Sequence, residues 1–191
     1  ARFGADNVVA VYVDASDHEG WWYEGAGIYR HVWLIKTDRV AVDLWGVYVK
    51  PRRQSGGVWQ VPVETTVRND GQETETVAVE SVIVDASGQE IVSATGEITV
   101  PHRDKAVLTH TMTVENPALW DTEHPNLYAV RTRILRRGQL IDEVVTRFGF
   151  RTIRFDADRG FFLNDRPVKL KGVCCHQDYG LTGKAMPDRI H

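Results

Sequence analysis

The sequence predicts a mainly β protein whose centre is a two-layer sandwich. From about residue 58 to residue 155, short runs of alternating apolar and polar residues are separated by turns rich in Gly, Asn and Asp. No stretch in this region carries the apolar period of a helix. About seven strands in about 100 residues, with a turn every 8–12 residues, is the pattern of an immunoglobulin-like sandwich.

The turn residues predict where each central strand begins and ends along the sequence. The run Val61–Val67 ends at Asn69-Asp70-Gly71, and the run Val77–Ser81 leads to the turn at 85–88. Four further strands are expected near 90–100, 105–114, 127–136 and 140–148, with a hairpin tip at Arg137-Gly138. No pair of cysteines brackets a core Trp here, so Val, Ile, Leu and aromatic residues alone should hold the sheets together.

Residues 1–48 are predicted to be the C-terminal part of a larger β-domain. The runs Val8–Val13, Val32–Ile35 and Val40–Val42 are rich in strand formers. They are too few to bury both faces of a sheet. A stretch rich in Pro, Arg and Gly at 50–57 marks the boundary, and the sandwich is assigned to 49–155. Its Arg52-Arg53 pair, like Arg136-Arg137, is expected to be solvated.

The last segment, 156–191, predicts a hairpin followed by one more strand. Asn164-Asp165 lies between Phe/Leu and Val/Leu runs, as in a tight turn. Alternation after it puts Gly172, Cys174, His176 and Asp178 on one face. Met186–Ile190 resembles the start of a helix, and strand followed by helix opens an α/β barrel. We therefore expect the truncated start of a (β/α)8 barrel.

Composition and charge exclude several classes of partner. With 42% hydrophobic and 26% charged residues the chain has the composition of an ordinary globular protein. Its net charge of −3 lacks the excess of basic residues that binding to nucleic acid requires. No apolar run approaches the roughly 18–20 residues of a membrane span. The start, Ala1-Arg2-Phe3-Gly4, is neither a charged leader nor an initiator Met, so the native N-terminus is expected to be missing. Periplasmic, secreted and cytoplasmic locations therefore stay open, as does a homo-oligomer.

No cofactor or metal is expected. The sequence has neither a Gly-rich phosphate cradle nor a Gly-x-Ser-x-Gly elbow. Cys174 and Cys175 are adjacent, which suits a disulfide poorly, so both should be free thiols. Cys174, His176 and Asp178 would splay apart on an extended segment with no fourth ligand, which disfavours a zinc site.

Four segments, in chain order, resemble glycoside hydrolase family 2 and in particular its β-galactosidases. They are Asp6–Asp14, Trp22–Leu34, Asn116–Tyr128, and Gly149–Arg151 together with Leu163–His176. Two positions depart from the family pattern. Trp21 stands where many members carry Arg, and Asp165 replaces the usual Gly of the hairpin, a mild change because Asp tolerates turn conformations.

The resemblance implies the end of a sugar-binding jelly roll, a sandwich that acts as a spacer, and the first strand of a catalytic barrel. It also implies a retaining mechanism with two glutamates about 5–5.5 Å apart. Both are expected beyond His191, so no catalytic residue is assigned here and this chain alone should be inactive. His176 would contact the sugar, Asp178 is a weaker candidate on the same face, and Trp21 either stacks on the sugar or packs between domains.

Two alternatives remain from the sequence. A β-sandwich module without enzymatic activity could bind a glycan or a protein, since fold alone does not define function. The hairpin and Lys171-Gly172-Val173 before His176 argue against it, because a self-sufficient sandwich has no use for a strand beyond its end. Within the family, β-glucuronidase or β-mannosidase activity would fit the same motifs.

Overall fold

The computed structural model describes residues 2, 4–14, 16, 27–28, 30–174 and 185–190. Short 3-10 turns lie at Ser55–Gly57 and Asp188–Ile190. The strands, in chain order, are β1 Val40–Val49, β2 Arg52–Arg53, β3 Val58–Asn69, β4 Glu75–Val84, β5 Glu90–Val100, β6 Asp104–Glu115, β7 Tyr128–Arg136, β8 Gln139–Phe148, β9 Ile153–Asp156, β10 Gly160–Leu163 and β11 Arg166–Pro167.

Two four-stranded antiparallel sheets form the sandwich, which confirms the predicted fold class. In the first sheet β3 pairs along its whole length with β6, from Val58↔Glu115 to Asn69↔Asp104. Its other edge pairs with β1 and then β2. The second sheet has the order β5-β4-β7-β8. The six strands β3 to β8 occupy the positions that the turns predicted, and Arg137-Gly138 forms the hairpin tip with both φ angles positive.

Apolar side chains from both sheets meet in two clusters, because alternation along each strand turns every second residue inward. The first cluster contains Val40, Val42, Val67, Val77, Val79, Ile98, Val100 and Ile134. The second contains Trp59, Val61, Val63, Ile83, Met112, Val114, Val130 and Phe150. Each fully buried side chain of this kind contributes roughly 1.5–3 kcal/mol.

A belt of polar residues separates the two clusters. Thr65, Ser81, His110 and Thr132 are all buried, and each interrupts the apolar inward row of its own strand. Ser81 pairs with Thr132 across the second sheet, and His110 of the first sheet lies with Nδ1 3.0 Å from the Ser81 hydroxyl. The expectation of an entirely apolar core was therefore wrong, because a period-2 pattern identifies the inward face but not the hydrogen bonds that cross it.

Burial disfavours the charged form of the His110 imidazole. The residue is 9% exposed, and among the described residues its Nε2 has no hydrogen-bond partner. That nitrogen lies over Gly96, where an added Cβ would come within 3.0 Å of it. Desolvation lowers the pKa of His110, since the cation cannot be hydrated there.

Ion pairs tie the chain into the sandwich where β1 begins. The Arg136 guanidinium donates from Nη2 to Asp38 Oδ1 at 2.9 Å and from Nε to Glu75 Oε2 at 2.7 Å. The hydrogen bond from the Arg136 guanidinium to the Asp38 carboxylate lowers the pKa of Asp38. Arg136 was predicted to be solvated, which was wrong, because the turn signal at Arg137-Gly138 says nothing about acids that arrive from distant strands.

The first sheet includes a strand from before residue 49. Val40–Val49 pairs with β3, although the sequence pattern grouped residues 40–48 with the preceding zone. The assignment of the three domains stays a prediction. Residues Lys36–Lys171 form one compact unit, and Ala1–Ile35 with Gly172–His191 form another. None of the described helices has the length or apolar character that a membrane span needs.

The strands expected at Val8–Val13 and Val32–Ile35 are not formed. Neither run is assigned to a strand within the described residues, and Val8 is 91% exposed. Strand propensity alone cannot satisfy backbone groups; a neighbouring strand has to supply the ladder of hydrogen bonds.

Acidification should destabilise the sandwich through His110. Below about pH 6.5 the His110 imidazole is protonated in the unfolded chain, whereas in the folded state its lowered pKa disfavours protonation. The free energy of unfolding should therefore fall as the pH drops from about 7 to about 5. Most carboxylates titrate below this window. Urea unfolding at several pH values measures the slope.

His110→Asn, which can still bond to Ser81, should flatten that slope. His102→Asn at an exposed position is the matched control and should keep it. Equal slopes in both variants would contradict the role given to His110.

Candidate functional site

The three predicted substrate-binding residues, His176, Asp178 and Trp21, lie outside the described residues. Their roles therefore stay predictions. Cys174 is described and is an exposed free thiol, while Cys175 lies outside the described part. Residues 168–174 are assigned to no strand, although the N–H of Val168 donates to the carbonyl of Phe161 in β10 at 2.9 Å. The strand predicted beyond the hairpin is therefore not seen over these residues.

The hairpin itself is formed as predicted. β9, β10 and β11 make a small antiparallel sheet that is separate from the two layers of the sandwich. Asn164 and Asp165 form its tip with φ angles of 50° and 64°. Two successive left-handed residues define the tight hairpin turn whose twist suits the flanking strands, and Asn and Asp tolerate this conformation better than other side chains.

Asn164 also joins the hairpin to the sandwich. Its Oδ1 accepts a hydrogen bond from the backbone N–H of Thr152 at 2.9 Å, and its Nδ2 donates to the carbonyl of Trp120 at 3.0 Å. Its own backbone N–H donates to the carbonyl of Thr152 at 3.0 Å. From the sequence, Asn164 was expected only to form the turn. Its bonds to Thr152 and Trp120 could not be predicted, because these residues lie 12 and 44 positions away in the chain.

The Trp120 loop, residues 116–127 between β6 and β7, is held to the chain that leaves the second sheet. The N–H of Trp120 donates to the carbonyl of Phe150 at 2.8 Å, and Leu119 bridges to Phe150 as well. The Arg151 guanidinium lies 4.7 Å from the centre of the Trp120 ring. Gly149 lies beneath the same side chain, and an added Cβ there would come within 2.8 Å of Trp120 Cβ.

Hydrogen bonds stiffen the loop further. The Asp121 carboxylate accepts from the backbone N–H groups of His124 and Glu123, at 2.6 and 2.8 Å. These bonds, the one from His124 first, lower the pKa of Asp121. The Tyr128 hydroxyl accepts from the N–H of Ala118 at 2.9 Å, which fixes the start of the loop to β7.

Phe150 anchors this end of the sandwich. It is fully buried, with its ring centre 5.4 Å from that of Trp59, 4.9 Å from that of Tyr128 and 5.2 Å from that of Phe148. All three rings meet it edge-on, an arrangement worth about 0.5–1.5 kcal/mol for each pair beyond the area it buries.

Asp165 gives the hairpin tip a second attachment. Its carboxylate lies 2.8 Å from Nη1 of Arg53, which belongs to β2. Arg53 was expected to be solvated, and its side chain is 45% exposed even with this partner. The pair is exposed on both sides, so its contribution to stability is small.

The junction is defined as Gly149–Thr152, the Trp120 loop and the hairpin tip. A shallow cavity beside it of about 500 Å³ is lined by polar and apolar groups in about equal measure, among them Arg147, Arg151 and Phe148. A second cavity of about 430 Å³ lies beside Glu75 and Arg136, which already pair with each other. In the described ranges, no group of three or more His, Cys, Asp or Glu residues could hold a metal ion.

Comparison with known proteins gives one consistent family. The sequence model described as "Glycosyl hydrolases family 2" matches residues 41–151, which cover both sheets and Phe150. A β-galactosidase from Bacteroides ovatus, BoGH2A, is 38% identical over 189 residues, which is 98% of this chain and 22% of that protein. A β-glucuronidase from Formosa agariphila is 29% identical over 192 residues, 90% of this chain and 20% of that protein.

The fold comparison agrees. The crystal structure of a glycosyl hydrolase family 2 member from Bacteroides cellulosilyticus matches with a TM-score of 0.83 and 34% identity, over 93% of this chain and 24% of that one. The chain spans about a fifth to a quarter of the length of the curated relatives it matches.

Gly149→Ala should destabilise the junction by about 1–3 kcal/mol, because the new methyl group cannot be accommodated without moving Trp120. Chemical denaturation measures the change. Gly172→Ala is the control, since an added Cβ there meets nothing within 4 Å. Equal stability of the two variants would contradict the close packing of Trp120 on Gly149.

Proposed function

The chain belongs to glycosyl hydrolase family 2, and on this premise we propose that the whole protein hydrolyses terminal β-linked sugars with retention of configuration, as a β-galactosidase. The observation that carries the proposal is the family match across the sandwich. The similarity to the Bacteroides ovatus β-galactosidase along nearly the whole chain supports the choice of a galactoside.

The bond-breaking chemistry is assigned to two glutamates outside these 191 residues. One would protonate the leaving oxygen and the other would attack the anomeric carbon, which requires carboxyl groups about 5–5.5 Å apart. The carboxylates at the described junction are already engaged, Asp121 by backbone N–H groups and Asp165 by Arg53. This chain by itself should therefore not cleave a glycoside.

Within the enzyme the sandwich serves as a spacer. The twelve-residue ladder between β3 and β6 and the two apolar clusters make it stiff. The chain enters beside Asp38, which is held by Arg136, and leaves through the buried Phe150. The points where the chain enters and leaves the sandwich are therefore both fixed to one rigid body. This suits a module that holds two other parts of an enzyme in a fixed relation.

His176 is assigned to sugar binding, with Asp178 as a weaker contributor. An imidazole at the end of a barrel strand can hydrogen-bond sugar hydroxyls. Trp21 has an aromatic face that can either stack on the C–H surface of a pyranose or fill a domain boundary. The proposal includes a carbohydrate as the partner of all three residues.

A second candidate activity is that of a β-glucuronidase. The similarity to the β-glucuronidase of Formosa agariphila favours it. A glucuronide differs from a galactoside by its carboxylate, so such an enzyme would need a cationic group facing the C6 position of the sugar.

Assaying the whole protein against a panel of nitrophenyl glycosides tests the proposal. We expect the β-galactoside to be cleaved, and NMR of the first-formed sugar to show the β-anomer. His176→Ala should lower kcat/KM roughly tenfold or more, because one lost polar contact to the substrate costs about 1.4 kcal/mol or more. His102→Ala, at an exposed site in the sandwich, should leave kcat/KM unchanged.

The outcomes separate the alternatives. Cleavage of the β-glucuronide in preference to the β-galactoside would favour the second candidate. Sugar binding without any hydrolysis would favour a non-enzymatic module. Hydrolysis by the 191-residue chain alone would contradict the assignment of the glutamates.

A further inference from the structure

The cavity of about 500 Å³ beside the junction lies between the edges of the two sheets. One wall is formed by Val49 and Pro51, at the end of β1 and just after it, and another by Arg147 and Phe148, at the end of β8. β1 belongs to the first sheet and β8 to the second. All residues that line the cavity fall within the unit Lys36–Lys171, and its volume suits a small molecule.

Two guanidinium groups line this cavity without an acidic partner. In the part of the chain that the structure describes, neither Arg147 nor Arg151 forms an ion pair or a hydrogen bond through its side chain. Other arginines of the same unit each lie beside a carboxylate: Arg53, Arg68, Arg133, Arg136 and Arg154. The two that share the cavity carry like charges, so an anion in the cavity would be attracted to both.

Arg151 is held in place for such a contact. Its guanidinium lies 4.7 Å from the centre of the Trp120 ring, and the backbone of Trp120 is bonded to the carbonyl of Phe150. A guanidinium donates within its own plane, so an aromatic ring against its face leaves the N–H donors available. Arg147 comes from β8, where it pairs in register with the small residue Ala129.

The rest of the cavity wall is uncharged. Leu127 and Ile153 are 42% and 53% exposed, and Phe148 is half-buried. A simple inorganic anion would use only the guanidinium groups. A sugar acid fits both kinds of surface, because its carboxylate suits the planar guanidinium groups and the C–H face of its ring suits apolar and aromatic side chains.

We propose that this cavity binds a sugar acid, with the carboxylate on Arg147 and Arg151 and the pyranose ring against Phe148, Leu127 and Ile153. The choice of a sugar rests on the proposed function, whereas the attraction for an anion does not. The site gives the sandwich a binding role in addition to that of a spacer.

A ligand-observed NMR titration of the whole protein with D-glucuronate tests the site. A Kd of about 1 mM is expected for a ligand of this size. Arg147→Gln and Arg151→Gln should each weaken binding about tenfold or more, because each removes charge-assisted hydrogen bonds to the carboxylate. Arg103→Gln makes the same replacement at an exposed arginine that does not line the cavity, and it should leave Kd within about twofold.

Two further ligands test the two halves of the site. D-glucose has a hydroxymethyl group in place of the carboxylate, and acetate has the carboxylate without the ring. Both should bind about tenfold or more weakly than glucuronate, since each uses only part of the cavity. Glucose that binds as tightly as glucuronate would show that the guanidinium groups are not used. Acetate that binds as tightly would show an adventitious anion site only, and either result would overturn the proposal.

Arg147→Gln keeps the test decisive even if loss of the Arg151 contact with Trp120 unfolds the junction, because the Arg147 side chain bonds to no described residue. The active site of a β-glucuronidase would also bind glucuronate, but that binding would not depend on Arg147. Glucuronate binding that is equal in wild type and in folded Arg147→Gln would therefore refute this inference alone. A protein that binds glucuronate through Arg147 and cleaves no glycoside would refute the proposed function alone.

Discussion

The ring of Phe150 lies where the two sheets close, with Trp59 of the first sheet and Tyr128 and Phe148 of the second packed edge-on around it. Its carbonyl at the same time accepts the N–H of Trp120. One fully buried residue thus completes the core and fixes the backbone from which the chain departs. The Trp120 loop bonds to this backbone, and Asn164 at the hairpin tip bonds in turn to the carbonyl of Trp120.

This arrangement gives the sandwich a defined orientation at both of its ends. The apolar clusters make the sandwich rigid, but dispersion and burial are not directional and do not fix how the chain enters or leaves it. Hydrogen bonds are directional. Those between Arg136 and Asp38 at the entry, and between Asn164 and Trp120 at the exit, fix the orientation of the chain at these two points.

The polar belt serves the same end inside the core. Ser81 and His110 join opposite sheets by a hydrogen bond, and a slide of one sheet over the other by a residue pair would break it. A buried polar contact of this kind adds little net stability but penalises the wrong register, because separated partners would stay buried and unpaired. Such a rigid sandwich suits the spacer role proposed for this member of family 2.

The strand pattern by itself determined the sandwich, six of its seven long strands and the hairpin at Asn164-Asp165, because alternation and turn residues are local properties of the chain. The order of the motifs indicated the family. Only the tertiary structure decided that Val40–Val49 pairs in the sandwich, that Val8–Val13 has no strand partner among the described residues, and that Arg136 and Arg53 have acidic partners. These depend on contacts between residues far apart in sequence, such as Asn164 with Trp120, and no local pattern carries information about which distant group will be there.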